Sequence, residues 1–475
     1  MNTQPPSDTL IQKKATTIVL FGATGDLAKR YLFPSLYDLY SRKMLPEQFH
    51  IVAFARKDFC EETFRQYVID EVNIDDKDFL KHIRYVQGDM MKQEGYKTLG
   101  DFLNACDGEM GVCSNKLFYL SIPPQLFDDV FDHLKLSGLT TPCANPEDDA
   151  QSWARVLVEK PFGFNQEEAR YLDTKLGKIF DESQVYRIDH YLAKETVQNI
   201  LTFRFANMFF DPAWNHEYIE SVEILMHESV TAEDRGSFYD GIGALRDMGQ
   251  NHILQMLALV AMEDPKDLDQ DKIREARAEV LSKLSIRKDS EDNKMVSRAQ
   301  YGGYRETEGV EDDSQTETFF RIELLINNDR WQGVPFILES GKGLPKKHTE
   351  IKINFKERTS CVCEVGDTNH TNQIVFRIQP NEGIGAKFWV KKPGFTFETE
   401  EKDLTFDYSQ DDRLPNAYER VLFDAIRGDQ TLFASTDEVT AQWNIIMPIL
   451  TEWQKEDQQG KMIQAYKIGE LPEIL

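Results

Sequence analysis

The stretch Thr17-Ile18-Val19-Leu20-Phe21-Gly22-Ala23-Thr24-Gly25-Asp26-Leu27-Ala28-Lys29-Arg30 reads as a short apolar strand, a tight turn and the opening of a helix. Small residues at 22, 25 and 28 let the backbone turn sharply, approach a pyrophosphate closely and pack helix against strand, while the helix start offers free N–H groups and a positive dipole. The pattern is G-x-x-G-x-x-A, a variant of the dinucleotide fingerprint. A plain structural turn would use the same two glycines. The order strand, turn, helix at the head of an alternating domain favours the binding reading, with Gly22, Ala23, Thr24, Gly25, Asp26, Leu27, Ala28 and Lys29 as the candidate cofactor positions.

Outward from this turn, apolar strand-like runs alternate with helical periodicity. Strands are predicted at Thr17–Phe21, His50–Ala55, Ile83–Val86, Lys116–Leu120 and Ala154–Val158, with helices running from the turn to Lys43, near Glu61–Glu71 and over Gln166–Phe180. Strand and helix taking turns implies a mostly parallel sheet with crossover helices, the size of one dinucleotide-binding domain. At the end of the second strand stands Ala55-Arg56-Lys57, where an NAD site would place an acidic residue. Arg56 favours a 2′-phosphate, hence NADP; Asp58 close by, and the ability of arginine to stack over adenine, leave NAD open.

Beyond Val185 the texture changes. Alternating runs at Ser221–His227, Thr318–Ile326, Glu350–Phe355 and Gln373–Gln379 predict an antiparallel sheet, interrupted by helices near Gln250–Met262 and Ala417–Arg427. The expectation is therefore an α/β Rossmann-like domain over residues 1–185, with 1–16 a loose leader, and an α+β domain with a large, mainly antiparallel sheet over 186–475. The acidic stretch Glu306–Glu317 reads as a solvated loop.

Composition bounds the function classes. The 475 residues are 41% hydrophobic and 11% aromatic, as in folded domains, and carry a formal net charge of −26. Such acidity argues against general affinity for nucleic acid or for anionic membranes, so an anionic ligand must meet a local cluster of cations. The longest apolar run, near Ile253–Met262, is about half of the ~20 residues a spanning helix requires. The leader has no signal-peptide pattern, and a cytoplasmic location is expected. Six cysteines are too sparse for a disulfide scaffold and show no metal spacing; Cys361 and Cys363 read as one face of a strand.

Three further segments complete a pattern: Glu159-Lys160-Pro161-Phe162-Gly163, Arg187-Ile188-Asp189-His190-Tyr191-Leu192-Ala193-Lys194-Glu195, and Arg246-Asp247-Met248-Gly249-Gln250-Asn251-His252. With the turn at Gly22, they closely resemble the glucose-6-phosphate dehydrogenase family from about residue 17 to the end. The resemblance implies oxidation of D-glucose 6-phosphate to its 1,5-lactone with hydride transfer to NADP, the opening reaction of the oxidative pentose phosphate pathway. It assigns His252 as base and Asp189 as its carboxylate partner. These roles suit the chemistry, since histidine titrates near neutrality and a carboxylate on its other nitrogen fixes the tautomer. Read alone, His252 would be a buried helix histidine.

By the same resemblance His190, Tyr191 and Lys194 hold the 6-phosphate; were the segment helical, the three would share one face. Glu228, Asp247, Lys342 and Lys347 match the family's sugar contacts, although each read alone would be a solvated charge. Lys160 is expected to touch both sugar and cofactor, with the Lys160–Pro161 bond cis as is typical of the family; Glu159 is left out of the site. Tyr31 stands where most members place a lysine, which puts ligand affinity in doubt, and Pro34 is read as a family feature of the helix it interrupts. The segment Arg377–Glu382 resembles part of a region that carries a second NADP in some members; no second cofactor is expected, and no metal. The family's C-terminal sheet builds oligomers, so a homodimer or homotetramer is implied. Two alternatives remain at this stage: a related dehydrogenase of an unphosphorylated sugar, and a catalytically silent relative that keeps the fold.

Overall fold

Every residue of the strand Ile18–Phe21 is fully buried, as a strand covered on both faces of a parallel sheet must be. The computed structural model describes residues 14–142, 152–290, 295–357, 370–408 and 413–473. The loose leader and the Cys361/Cys363 pair fall largely or wholly outside the described residues. Two compact units emerge. The first comprises Met1–Ala193, Asp269–Asp271 and Pro415–Thr436; the second comprises Lys194–Leu268, Lys272–Leu414 and Asp437–Leu475.

In the first unit, strands β1 (Thr16–Phe21), β2 (Phe49–Ala55), β3 (Ile83–Gln87), β4 (Asn115–Leu120), β5 (Ala154–Val158) and β6 (Val185–Ile188) form a parallel sheet in the order β6-β5-β4-β1-β2-β3, with the short strand Phe433–Ala434 antiparallel on the outside of β6. The chain moves one way from β1 to β2 and the other way from β3 to β4. That reversal opens the sheet at the C-terminal ends of β1 and β4, where this architecture places ligands. Phe21, Phe54, Tyr96 and Phe118 cluster on one face of the sheet with helices Gln93–Met110 and Phe127–Ser137. Burial of each such side chain stabilises the unit by about 2 kcal/mol.

Helix Ala417–Arg427, read from sequence among the elements after residue 185, belongs to this unit. Asn416 caps it by accepting from the N–H groups of Tyr418 (2.9 Å) and Glu419 (3.0 Å), and itself accepts from Ser35 Oγ at 3.1 Å. At its other end Arg155 donates to the carbonyls of Ala425 (2.7 Å) and Ile426 (2.9 Å). A helix terminus leaves four carbonyls without intrahelical partners, and a cation that supplies two bonds there also complements the dipole.

The second unit is built on a ten-stranded sheet. Its strands are β7 (Ile219–His227), β8 (Leu284–Ile286), β9 (Val296–Tyr301), β10 (Phe319–Ile326), β11 (Phe336–Gly341), β12 (His348–Phe355), β13 (Gln373–Gln379), β14 (Gly383–Lys391), β15 (Thr399–Asp407) and β16 (Gln464–Tyr466). The order is β15-β14-β13-β12-β7-β11-β10-β9-β16, with β8 beside β10; β7/β11 and β9/β16 are parallel and the other pairs antiparallel. On it lies the apolar helix Leu254–Ala261, buried at every residue. The carbonyls at its C-terminus are taken by Trp214 Nε1 (Val260, 2.9 Å), Trp331 Nε1 (Ala261, 2.8 Å) and Arg204, which donates to Leu259 and Met262 at 2.9 Å each.

Two sequence readings hold only in part. The stretch Glu306–Glu317 is a loop whose acidic side chains Glu306, Glu308, Glu311, Asp312 and Asp313 are exposed, as expected, but Ser314 and Glu317 at its end are buried. Asp240 holds Ser314 Oγ (2.5 Å) and Thr316 Oγ1 (2.8 Å), and Glu317 accepts from the Leu245 N–H at 3.0 Å. Backbone donors at a helix start need an acceptor, and an acidic loop supplies one. The second correction concerns Asp189–Lys194, which is a turn and not a helix; the helix starts at Glu195. The shared helical face of residues 190, 191 and 194 is therefore not realised.

Candidate active site

The first unit gathers its candidate residues at the C-terminal ends of β1, β5 and β6. Gly22 follows β1 with φ +72°, and a Cβ there would lie 2.3 Å from the Ser121 carbonyl oxygen that follows β4. Only glycine fits that juncture. The turn closes by Gly25 N–H donating to Gly22 O at 2.8 Å, and Lys29 N–H donating to Gly25 O at 3.2 Å. Ala23 and Ala28 are fully buried beneath it. Residues Ala28–Leu32 form a wide π-helical turn that passes into the α-helix Phe33–Ser41, so Pro34 falls in the first α turn, where its missing N–H costs little. The cradle of small residues and helix-start N–H groups fits a dinucleotide pyrophosphate.

Around this turn, Asp26 pairs with Arg30 at 3.0 Å and Lys29 with Glu71 at 3.2 Å. Arg56 is exposed just past β2, and its guanidinium makes no ion pair among the described residues. Tyr31, where a lysine was expected from the resemblance, stacks on Tyr418 with ring centroids 5.0 Å apart; Tyr418 in turn lies parallel to His190 at 6.2 Å. The phenol thus has an aromatic partner from the helix at Ala417, which no local sequence signal announces.

At the ends of β5 and β6, the Lys160–Pro161 bond is cis. Asp189 is 2% exposed, and its Oδ1 accepts from the Tyr191 N–H at 2.9 Å, fixing the carboxylate at the start of the turn. Glu159, left out of the site on sequence grounds, accepts from Tyr119 Oη at 2.6 Å. Burial pushes its carboxyl up to about 7, Asp189 adding to the effect while Tyr119 and Lys160 oppose it. An acid so placed is a functional candidate, since perturbed carboxyls gather at such sites. The sequence signal was its place beside Lys160 at the end of a buried strand.

In the second unit His252 is 1% exposed near the end of a wide π-helical segment, Leu245–Ile253, that leads into Leu254–Ala261. Such segments recur at functional sites because they re-aim side chains within a helix. Gly249 permits the close packing: a Cβ there would meet Phe320 Cζ at 2.9 Å. Glu317 caps the start of this segment through Leu245 N–H, and burial raises its own carboxyl above the usual range.

Glu228 and Lys342 form an ion pair at 2.5 Å where β7 and β11 end together, and the Lys342 ammonium lies 5.1 Å from the ring centroid of Tyr239. Tyr239 also feels the charges of Asp247, Glu317 and Glu228. Lys194 donates to Gln379 Oε1 at 3.0 Å, and Gln379 is itself oriented by donating to Thr349 Oγ1 at 3.1 Å. Burial lowers the Lys194 ammonium and repulsion from Lys347 adds to this, with Glu382 opposing. Gln379, which orients the candidate Lys194, was not among the residues singled out from the sequence, although it lies within the segment Arg377–Glu382. A separate cavity of about 300 Å³ in this unit is lined by Arg246, Arg298, Glu317, Trp453 and Asp457. Its Arg298 is already held by Asp457 at 2.5 Å, and none of the sequence-predicted site residues lines it. Among the described residues no His, Cys, Asp and Glu cluster could hold a metal, and no helix is long and apolar enough to cross a membrane.

Family models match nearly the whole chain: "Glucose-6-phosphate dehydrogenase, NAD binding domain" over residues 19–199 and "Glucose-6-phosphate dehydrogenase, C-terminal domain" over 201–472. The chain is 40% identical to the cytoplasmic glucose-6-phosphate 1-dehydrogenase 6 of Arabidopsis thaliana, covering 91% of this chain and 85% of that protein. It is also 40% identical to glucose-6-phosphate 1-dehydrogenase of Chlamydia pneumoniae, covering 92% and 90%. Among solved structures, a glucose-6-phosphate dehydrogenase in complex with its substrate glucose 6-phosphate is similar, with TM-score 0.87, 34% identity and coverage of 100% of this chain and 97% of that one. The glucose-6-phosphate 1-dehydrogenase of Mycobacterium avium is similar with TM-score 0.80, 32% identity and coverage of 96% and 95%.

Proposed function

The chain belongs to the glucose-6-phosphate dehydrogenase family, and from that premise we propose how its residues divide the work. The enzyme oxidises D-glucose 6-phosphate to 6-phospho-D-glucono-1,5-lactone with hydride transfer to a nicotinamide dinucleotide, opening the oxidative pentose phosphate pathway. A nicotinamide dinucleotide held by the Gly22–Lys29 turn would supply the hydride acceptor for C1. His252 takes the O1 proton, and Asp189 holds the imidazole and stabilises its cation. Lys160 serves both ligands.

The phosphate is assigned to Lys194, His190, Tyr191 and Lys347. What carries this reading is the half-buried Lys194 ammonium, aimed by its hydrogen bond to Gln379 at 3.0 Å and repelled by the charge of Lys347, with Glu382 opposing. A phosphate dianion relieves that repulsion, whereas a sugar hydroxyl does not. Glu228, Asp247 and Lys342 take the sugar hydroxyls, the Glu228–Lys342 pair offering both acceptor and donor. Gly22 to Lys29 cradle the pyrophosphate, and Arg56, whose guanidinium is uncommitted, takes a 2′-phosphate, so NADP is the preferred cofactor. The active form is a homo-oligomer, supported by the exposed apolar face of β14 and β15, where Phe388, Val390, Leu404 and Phe406 lie on one side. A cytoplasmic location agrees with that of the Arabidopsis relative.

Initial rates of nicotinamide reduction with glucose 6-phosphate or plain glucose, each with NADP and NAD, test the assignment. Turnover is expected only with the phosphorylated sugar, and faster with NADP at subsaturating cofactor. Reduction with glucose alone, or with no pair, would overturn it.

A further inference from the structure

Tyr239 ends the short helix Gly236–Tyr239 and is 3% exposed, yet its hydroxyl has no hydrogen-bond partner among the described residues. Its ring is accounted for: it packs with Tyr301, Tyr304, Phe319 and Tyr466 in one cluster, edge to face with Tyr304 at 6.3 Å. The hydroxyl is not. A buried phenol with an unmet hydrogen bond costs about 1–3 kcal/mol, which a phenylalanine of the same shape would avoid. Most of the charges around it are those assigned above to the sugar: Lys342 over the ring at 5.1 Å, itself bound to Glu228 at 2.5 Å, with Asp247 and Glu228 acting on the phenol through space; Glu317, which caps the His252 segment, acts on it as well. Burial first, and those carboxylates next, hold the phenol well above its ordinary range, so it stays a neutral donor and acceptor throughout the working range of pH.

We infer that the Tyr239 hydroxyl is a further substrate contact, hydrogen-bonded to a ring hydroxyl of the sugar phosphate between Glu228, Lys342 and Asp247. The inference rests on the sugar-binding role proposed for those three residues. Carboxylates can only accept and an ammonium can only donate, whereas a phenol does both, so it complements whichever half of a sugar hydroxyl the charged groups leave unmatched.

Tyr239→Phe removes one oxygen and keeps the ring in its cluster. The KM for glucose 6-phosphate is expected to rise about five- to tenfold, with the KM for NADP unchanged and the melting temperature of the ligand-free protein raised, since the unmet hydroxyl is gone. With 2-, 3- and 4-deoxy analogues of glucose 6-phosphate, the penalty of the variant should shrink below twofold for one of them, the analogue lacking the bonded hydroxyl. A variant with wild-type KM, or with the same penalty on every analogue, would overturn the inference. So would a glucose 6-phosphate complex in which Tyr239 Oη lies beyond 3.5 Å from every sugar oxygen. Absence of wild-type turnover would instead remove the sugar-phosphate reading on which the inference stands.

Discussion

His252 is buried at 1% exposure just before the apolar helix Leu254–Ala261, and burial alone would suit a core residue; the distinction lies in what its loss does. His252→Ala should lower kcat by about 10²–10⁴ with a small change in KM, as expected of a general base, measured by steady-state rates against melting temperature. A purely structural histidine would instead lower both stability and KM fitness without a selective fall in kcat. Glu159 makes a second test at this scale, in pH. Its carboxyl titrates at about 7 in the folded protein against an ordinary 4.5. Between those values the folded chain holds a proton that the unfolded chain has lost, so this group's contribution is greatest below about 4.5 and is lost as pH rises through about 7. Asp424, raised to about 7 chiefly by burial, acts with the same sign. Melting temperature should therefore fall across that window, and Glu159→Gln with Asp424→Asn should flatten the curve; an unchanged slope in the double variant would refute the assignment.

The elements carry the site by how they end. Gly22→Ala would drive a Cβ to 2.3 Å from the Ser121 carbonyl at φ +72°. The turn must shift, and dinucleotide affinity should fall at least tenfold in a titration of cofactor fluorescence while the sheet, buried beneath, survives. Glu317→Ala removes the acceptor at the start of the His252 segment. It should destabilise by about 1–2 kcal/mol and lower kcat, because the segment that aims the imidazole loses its anchor; chemical denaturation and rates report the two effects separately. Much of this scale was legible in the sequence. Strand Ala154–Val158 and strand Gln373–Gln379 were read to the residue, because apolar runs and strict alternation are local properties. The turn at Gly22 was legible for the same reason. What was hidden is non-local: Tyr418 reaching Tyr31 and His190, Glu317 capping a helix some seventy residues earlier in the chain, Gln379 orienting Lys194. Each depends on a chain return that no periodicity encodes. The hairpin of β14 and β15 also escaped notice, because its strands mix charged and apolar residues without the burial that makes alternation stand out.

At the scale of the whole molecule, that hairpin presents the surface to which the proposed assembly is assigned. Strand β15 is an edge, and its run Glu400-Glu401-Lys402-Asp403 puts charge along it, a pattern that discourages edge-to-edge pairing. The face is different. Cross-strand register sets Ala386 opposite Leu404 and Ile384 opposite Phe406, so these four side chains, with Phe388 and Val390 further along β14, project to one side. Phe388, Val390, Leu404 and Phe406 are 42%, 39%, 64% and 54% exposed. A stripe of large apolar side chains held by a ten-stranded sheet is a surface that a second copy of the same sheet can cover. A strongly acidic chain resists such association everywhere that charge dominates, which confines it to a stripe like this one. Leu404→Asp should therefore halve the mass measured by light scattering at micromolar concentration, whereas Glu401→Gln, on the opposite side of the same strand, should leave it unchanged. A wild-type chain that already runs as a monomer, or a Leu404→Asp variant with undiminished mass, would show that the face serves some other purpose.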